Sequence, residues 1–259
     1  MEVIMQSFDK LVEIISRLRE PVSGCPWDLK QTPKSLIPNF IEELFEAVEA
    51  IEEDDHAALN EELGDLMLHI VFQCQIAREE GKFDVDSVLN NINSKLVRRH
   101  PHVFGDTDVT GADAVKMNWE RLKKAEKKDR LSVLEGIPRA LPGLIYAQRT
   151  QEKAASVGFD WQDHKPVLDK LAEEIEELNQ ALVQDDQEQI REEVGDLLFT
   201  IVNLARKLHI DAESAVKETT RKFTKRFQYI EEHYRSKGED IHAASLEELD
   251  AVWEKAKEI

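Results

Sequence analysis

Only two cysteines, Cys25 and Cys74, occur in 259 residues, too few for a disulfide scaffold and in keeping with a reducing compartment. Glycine (10) and proline (8) are scarce and clustered, and no stretch shows the period-two alternation of a half-buried strand, which sets sheet architectures aside. No apolar run reaches the roughly 18 residues of a membrane span. The N-terminus scatters Glu2, Asp9, Lys10 and Glu13 among its apolar residues, the pattern of an amphipathic helix and not of a signal peptide. Cations are in deficit as well. With 34 Lys and Arg against 53 Asp and Glu the net charge is −19, which argues against nucleic acid or an anionic membrane as partner. A soluble, cytoplasmic protein is expected. At 41% hydrophobic residues the chain is too apolar for disorder, and its length suits one or two domains.

Apolar residues recur at helical spacing nearly throughout, as in Ile37, Ile41, Leu44, Phe45, Val48 and Ile51. Helices are expected at 33–53, 56–80, 164–184 and 187–208. The chain also repeats itself. EELFE at 42–46 answers EEIEE at 173–177, and EELGDLML at 61–68 answers EEVGDLLF at 192–199, both at an offset of 131. Gly24-x-x-Trp27 answers Gly158-x-x-Trp161, and Trp119-Glu120 answers Trp253-Glu254, at an offset of 134. The expected organisation is all-α, with tandem helical domains at 1–123 and 143–259 joined by a charged linker at 124–142.

On a helix Glu43 and Glu46 project together, as do Glu174 and Glu177. A solvated face is the ordinary reading of such a pattern. The next helix of each copy changes the balance. Around 193–205 apolar residues surround nearly the whole helix, so it should be buried. Its polar exceptions Glu193, Asp196, Thr200 and Asn203 fall in one stripe, answered by Glu62, Asp65, His69 and Gln73. Buried carboxylates must be paired or neutralised. With four of them on two adjacent helices and no Lys or Arg on the second between Arg191 and its last turn, a hard divalent cation is the preferred partner. Gly64 and Gly195 interrupt these helices at the same place, which predicts close approach of another helix.

The paired EExxE and ExxD motifs, with Gly24-Cys-Pro-Trp-Asp28, Arg99-His-Pro-His-Val-Phe104 and Gly158-Phe-Asp-Trp161, resemble the MazG-type, all-α nucleoside triphosphate pyrophosphohydrolase superfamily over almost the whole chain. The resemblance implies a four-helix-bundle-like unit that dimerises, here as a homodimer. It implies Mg²⁺, with Mn²⁺ as a substitute, on Glu174, Glu177, Glu193 and Asp196, and a second, weaker site on Glu43, Glu46, Glu62 and Asp65. The implied reaction takes nucleoside triphosphates to monophosphate and pyrophosphate with broad base tolerance. The family's nucleotide-binding positions fall on Lys170, Glu173, Gln189, Arg191, Glu192, Lys222, Lys225, Arg226 and Trp253. Lys170, one turn before Glu174, would reach a phosphate, and Glu173 is a candidate general base. Trp253 would stack on a base or serve only as a structural tryptophan.

At the offset of 131, Lys170 faces Asn39, Arg191 faces Asn60, Lys222 faces Asn91, and Arg226 faces Lys95. The second copy is therefore expected to be the main catalytic one, with Arg98, Arg99 and His100 an alternative source of cations in the first. Three rivals remain. A di-iron carboxylate bundle needs Glu-x-x-His pairs in its core, and only Glu53-x-x-His56, in a polar turn, has that spacing. A helical nucleotide sensor or scaffold would show no turnover. A narrow hydrolase would act on one non-canonical nucleotide.

Overall fold

The computed structural model describes residues 2–105, Gly111, Val115 and 131–258, with side chains from residue 6 onward. It divides into two compact units, Met1–Lys128 and Asp129–Ile259. Trp119, Glu120 and the charged stretch 123–130 lie outside the described residues, and with them the expected domain boundary at 123.

The first unit contains α1 (Glu2–Leu18), α2 (Pro26–Leu29), α3 (Ile37–Glu52), α4 (His56–Glu79), α5 (Val85–Arg99) and α6 (Pro101–Phe104). The second contains α7 (Gly143–Ala155), α8 (Lys165–Gln184), α9 (Gln187–Lys207), α10 (Ala212–Lys237), a 3₁₀ turn at Ile241–Ala243, and α11 (Leu246–Ala256). No strand occurs among the described residues, and no described helix is long and apolar enough to cross a membrane. The four helices expected at 33–53, 56–80, 164–184 and 187–208 appear with ends moved by at most four residues. The largest shift is at the start of α3. There Thr32 and Ser35 exchange backbone-to-side-chain bonds in a turn of their own before the helix begins.

Each unit is organised around one antiparallel helical hairpin, α3–α4 or α8–α9, and both hairpins are built by the same two residues. Asp54 and Asp185 adopt left-handed conformations, at φ of 57° and 53°, which reverse the chain. The residue after each is an N-cap. Asp55 accepts from the amides of Ala57 and Ala58, and Asp186 from those of Glu188 and Gln189. A second shared cap starts the following helix, where Asp84 accepts from the Ser87 amide and Asp211 from the Ser214 amide, each at 2.8 Å. The units then diverge. Pro101 ends α5, because it cannot donate to the ladder. α10 meets no proline and runs to Lys237, where Gly238 caps it in the left-handed region.

The cores differ too. In the first unit Ile15 of α1 packs with Leu36 and with Val71, Phe72 and Ile76 of α4. In the second, Ile230 and Tyr234 of α10 pack with Val252 of α11. One expectation fails here. α9 was expected to be buried on all sides, yet Val194, Leu198, Phe199 and Ile201 are 43–50% exposed. Its inward face mixes polar and apolar groups: Glu193, Thr200, Val202 and Asn203 are buried, while Asp196 is exposed. An all-apolar circumference shows only that something must cover the helix, and none of the described residues of this unit covers that side. The same reasoning corrects the glycines. A Cβ at Gly64 or Gly195 would meet none of the described residues within 4 Å, so no described helix approaches closely at either.

Candidate functional site

The hairpins hold carboxylates at matching places. Helical spacing sets Glu174 and Glu177 of α8 side by side, and α9 brings Glu193 up to them. One oxygen from each of the three lies within 4.8 Å of the others. In the first unit the converging set is Glu43 of α3 with Glu62 and Asp65 of α4, within the same limit. The expected quartets thus resolve into triads, with Asp196 outside the second and Glu46 outside the first. Both excluded carboxylates still act through space, Asp196 pushing the Glu193 pKa up and Glu46 that of Glu43.

Crowded like charges should resist ionisation, and they do. Desolvation, then Asp65, Glu46 and Glu62, push Glu43 up to about 7. Desolvation first, then neighbouring carboxylates, also raise Glu62 and Glu193. Sets of carboxylate oxygens that repel one another and converge on a point fit a hard divalent cation such as Mg²⁺, which takes oxygen ligands and would relieve that repulsion.

The units meet this repulsion differently. In the second, Lys170 reaches into the carboxylates, its Nζ 2.7 Å from Glu173, 3.0 Å from Glu174 and 4.0 Å from Glu177. Hydrogen bonds to Glu173 and Glu174 raise its pKa. Lys170 therefore sits among the acidic side chains, and Glu173 is its salt-bridge partner on the open side. In the first unit Asn39 stands at that position, Glu46 and Glu62 hydrogen-bond Glu43, and the His69 Nε2 lies 3.9 Å from it.

The other candidate residues fall on two further elements. Gln189, Arg191 and Glu192 occupy the first turns of α9, leading into Glu193. Lys222, Lys225 and Arg226 of α10 line a groove of about 460 Å³ with Glu218, Arg221 and Tyr229 of the same helix and Ala256 and Lys257 beyond it. Beside it the Arg226 guanidinium lies 5.6 Å from the Trp253 ring centroid, and Phe223 lies 5.0 Å from the same ring. Trp253 is partly buried against the Ile230–Tyr234–Val252 core. The structural role considered for it is visible in that packing, and the Arg226 cation lies over its face. Glu53 and His56 of the di-iron alternative stay in the solvated turn, where the His56 side chain is 86% exposed.

The offset of 131 holds through the hairpins but not beyond. The caps Asp84-x-x-Ser87 and Asp211-x-x-Ser214 are 127 apart, because α4 runs about one turn longer than α9 before the next helix starts. With the third helices aligned on their caps, Lys222 corresponds to Lys95, Lys225 to Arg98 and Arg226 to Arg99. The comparison at 131, which set Lys222 against Asn91, is corrected: the first unit keeps all three cations of this stretch. Only Lys170 and Arg191 are replaced, by Asn39 and Asn60. The repeated Asp-x-x-Ser was visible in the sequence and would have revealed the shift.

Two ion-pair staples carried no motif. In the first unit buried Arg19 grips Glu79 at the end of α4, with Nη2 2.6 Å from the carboxylate, and donates to the Asp28 carbonyl. In the second, Asp160 pairs with Arg206 at 2.6 Å and Lys207 at 2.7 Å at the end of α9, and Lys207 also donates to the Trp161 carbonyl. Arg206, then Lys207, hold Asp160 at about 2. The Gly-x-x-Trp segments are tied to the hairpins by these pairs. Their glycines serve different ends. A Cβ at Gly24 would lie 2.4 Å from the Leu18 carbonyl, whereas Gly158 has open space and a φ of 87°.

The family model described as the MazG nucleotide pyrophosphohydrolase domain matches twice, at residues 31–104 and 162–230, each time spanning a carboxylate hairpin and the cationic helix after it. The chain is 46% identical over 251 residues to a protein of Thermotoga maritima named nucleoside triphosphate pyrophosphohydrolase/pyrophosphatase MazG, covering 96% of this chain and 95% of that one. It is 43% identical over 259 residues to the nucleoside triphosphate pyrophosphohydrolase of Escherichia coli K12, covering 98% of each. With its repeated acidic hairpins, and with likeness running end to end, the chain belongs to the MazG nucleotide pyrophosphohydrolase family.

Proposed function

We propose that this protein hydrolyses nucleoside triphosphates and their deoxy counterparts at the α–β phosphoanhydride, giving monophosphate and pyrophosphate, and that it requires Mg²⁺, for which Mn²⁺ can substitute. The observation that carries this reading is the convergence of Glu174, Glu177 and Glu193 with Lys170 among them, in a chain of this family. When bound, the metal would neutralise phosphate charge and make a bound water more acidic. Glu174, Glu177 and Glu193 would hold it, with Asp196 one helical turn further on. Lys170, released from the carboxylates it now neutralises, would turn to the phosphates. Glu173, its exposed partner, would then be free to accept a proton from the attacking water. Arg191 with Gln189 and Glu192 at the start of α9, and Lys222, Lys225 and Arg226 along the α10 groove, would orient the triphosphate and stabilise the departing pyrophosphate.

Broad base tolerance is supported by the planar groups at the groove, Arg226 and Trp253, which meet a π-face rather than a base edge. The second unit is the main catalytic one in this reading, because it alone has Lys170 and Arg191. A homodimer is supported by the exposed apolar sides of the hairpins, including Ile41, Leu44, Leu63 and Met67 in the first unit and Ile175, Leu182, Leu198 and Phe199 in the second. Two free thiols, one buried, accord with a cytoplasmic setting.

The test is product analysis with each triphosphate, in Mg²⁺ or in EDTA. Monophosphate plus pyrophosphate, formed only with metal, is expected. Diphosphate plus phosphate would refute the bond assignment. Turnover of a single nucleotide would replace broad tolerance with a narrow hydrolase. No turnover would favour the sensor or scaffold.

A further inference from the structure

Among the described residues, Lys170 is the only lysine or arginine within ion-pair distance of either carboxylate triad. Its position is that of a counter-ion at the mouth of the site. On the inner side its Nζ lies 3.0 Å from an oxygen of Glu174, whose side chain is 5% exposed. A carboxylate so poorly hydrated needs the ammonium as its partner. On the outer side the same Nζ lies 2.7 Å from Glu173, which is 57% exposed, and the lysine itself is 34% exposed, so the way to solvent is open. A divalent ion held at about 2.1 Å from that Glu174 oxygen would stand within about 5 Å of the ammonium, where two positive charges beside a buried group repel. Only one of the two cations can move aside, and it is the one on a flexible stem. Swung into water, the ammonium gives up the buried Glu174 and gains no anion. Swung onto a phosphate, it exchanges one anion for another.

We propose that Lys170 makes metal and triphosphate binding in the second unit mutually dependent, by occupying the metal's carboxylates until a phosphate group draws it away. Such a coupling is reciprocal: the ion strengthens the nucleotide's hold by freeing the lysine, and the nucleotide strengthens the ion's hold by receiving it. The first unit lacks this device. Asn39 carries no charge to displace, so Glu43, Glu62 and Asp65 bind a divalent ion without waiting for a triphosphate. The inference rests on the reading of the carboxylates as metal ligands and of the triphosphate as substrate.

The experiment uses the full chain with the first site silenced by Glu43→Gln and Glu62→Gln. Unbound Mn²⁺ is read by electron paramagnetic resonance. Binding of the α,β-methylene analogue of adenosine triphosphate, which resists cleavage at that bond, is read by calorimetry with and without Mn²⁺. Lys170→Asn, which installs the first unit's residue, should tighten Mn²⁺ at least about tenfold when no nucleotide is present. Mn²⁺ should also strengthen analogue binding by a factor at least about tenfold larger with Lys170 than with Lys170→Asn. Direct attraction between ion and phosphate is common to both proteins, so the ratio isolates the lysine. Lys170→Arg, which keeps the charge, should bind Mn²⁺ as the parent does, and folding of each variant is verified by circular dichroism. With the second site silenced instead, by Glu174→Gln and Glu193→Gln, Asn39→Lys should weaken Mn²⁺ at the first unit at least about tenfold. Mn²⁺ affinity unchanged in Lys170→Asn would overturn the proposal and leave the metal site in place. So would an equal enhancement of analogue binding with and without the lysine, the result for a lysine that never moves. No Mn²⁺ bound at the second unit would overturn the metal reading and this inference with it. Coupling in a protein that releases no pyrophosphate would overturn the hydrolase reading and leave this one standing.

Discussion

In the second unit a lysine lies among the carboxylates of the hairpin; in the first Asn39 holds the lysine's place, and His69 stands at the edge, 3.9 Å from Glu43. The staples at the far ends of the same hairpins are likewise reversed in sign. Helix α4 offers Glu79 to a cation, Arg19, from the turn after α1, whereas α9 offers Arg206 and Lys207 to an anion, Asp160, from the loop before α8. The turn that makes each hairpin has not changed. Backbone geometry at Asp54–Asp55 and Asp185–Asp186 admits few residues, so a duplicated unit keeps it. A charge pair needs only opposite signs within reach, so either partner can carry either sign.

The largest effect that could break this comparison lies in the carboxylates. Glu193→Ala is expected to reduce pyrophosphate release by about 100-fold or more, while Glu62→Ala leaves most of it. Equal losses would make the hairpins functional equals and remove the significance given to Lys170 and Arg191. The next effect concerns the staples. Arg19→Met leaves Glu79 without its bidentate partner and the Asp28 carbonyl without its donor, and should cost about 3 kcal/mol in urea unfolding. Asp160→Asn leaves Arg206 hydrogen-bonded to Asn203 and should cost less, about 1–2 kcal/mol.

Proton linkage separates the units without mutation. Glu43 titrates at about 7 in the fold against 4.5 when unfolded, so folding favours its protonated form. That contribution is complete below 4.5 and disappears as pH rises through about 7. Asp160 runs the other way, from 3.8 down to about 2, so its contribution is present above 3.8 and is lost as pH falls toward 2. In EDTA the unfolding free energy of the first unit should therefore decline between about pH 4.5 and 7, by an amount on the order of 1–3 kcal/mol, and Glu43→Gln should flatten the curve. The second unit, where the Glu193 pKa is also raised but Lys170 balances Glu173 and Glu174, should decline less over that range. Parallel curves for the two units would dissolve the electrostatic contrast.

Much of this architecture was legible in the sequence because it is written in residues with few substitutes. The four hairpin helices followed from apolar periodicity, and the carboxylate positions from an offset that held through both helices. What was not legible depended on which side chains meet across helices. Arg19 and Glu79, 60 residues apart, announce nothing by spacing. The register shift between the third helices was hidden because a helical turn can be lost at a helix end without disturbing either motif. The inward polar residues of α9 were anticipated, but its exposed apolar side was not. Hydrophobicity reports that a surface wants cover, without saying whether the same chain or another supplies it.

That last ambiguity gives the smallest and most informative test. Gly195 lies next to exposed Val194, and a Cβ there would meet nothing within 4 Å among the described residues. Replacing a helical glycine by alanine should then stabilise the protein by up to about 1 kcal/mol through the unfolded state alone. A second chain packed on the apolar side of α9 changes the expectation, because a methyl group would separate two closely approaching helices. Gly195→Ala should therefore raise the melting temperature at concentrations where the chain is monomeric and weaken self-association in sedimentation velocity. Gly64→Ala reports the same pair of quantities for the first hairpin. A gain in stability with no loss of association at either position would place the dimer contact elsewhere. The repeated glycine would then be a vestige of the duplicated helix, with nothing close enough to require it.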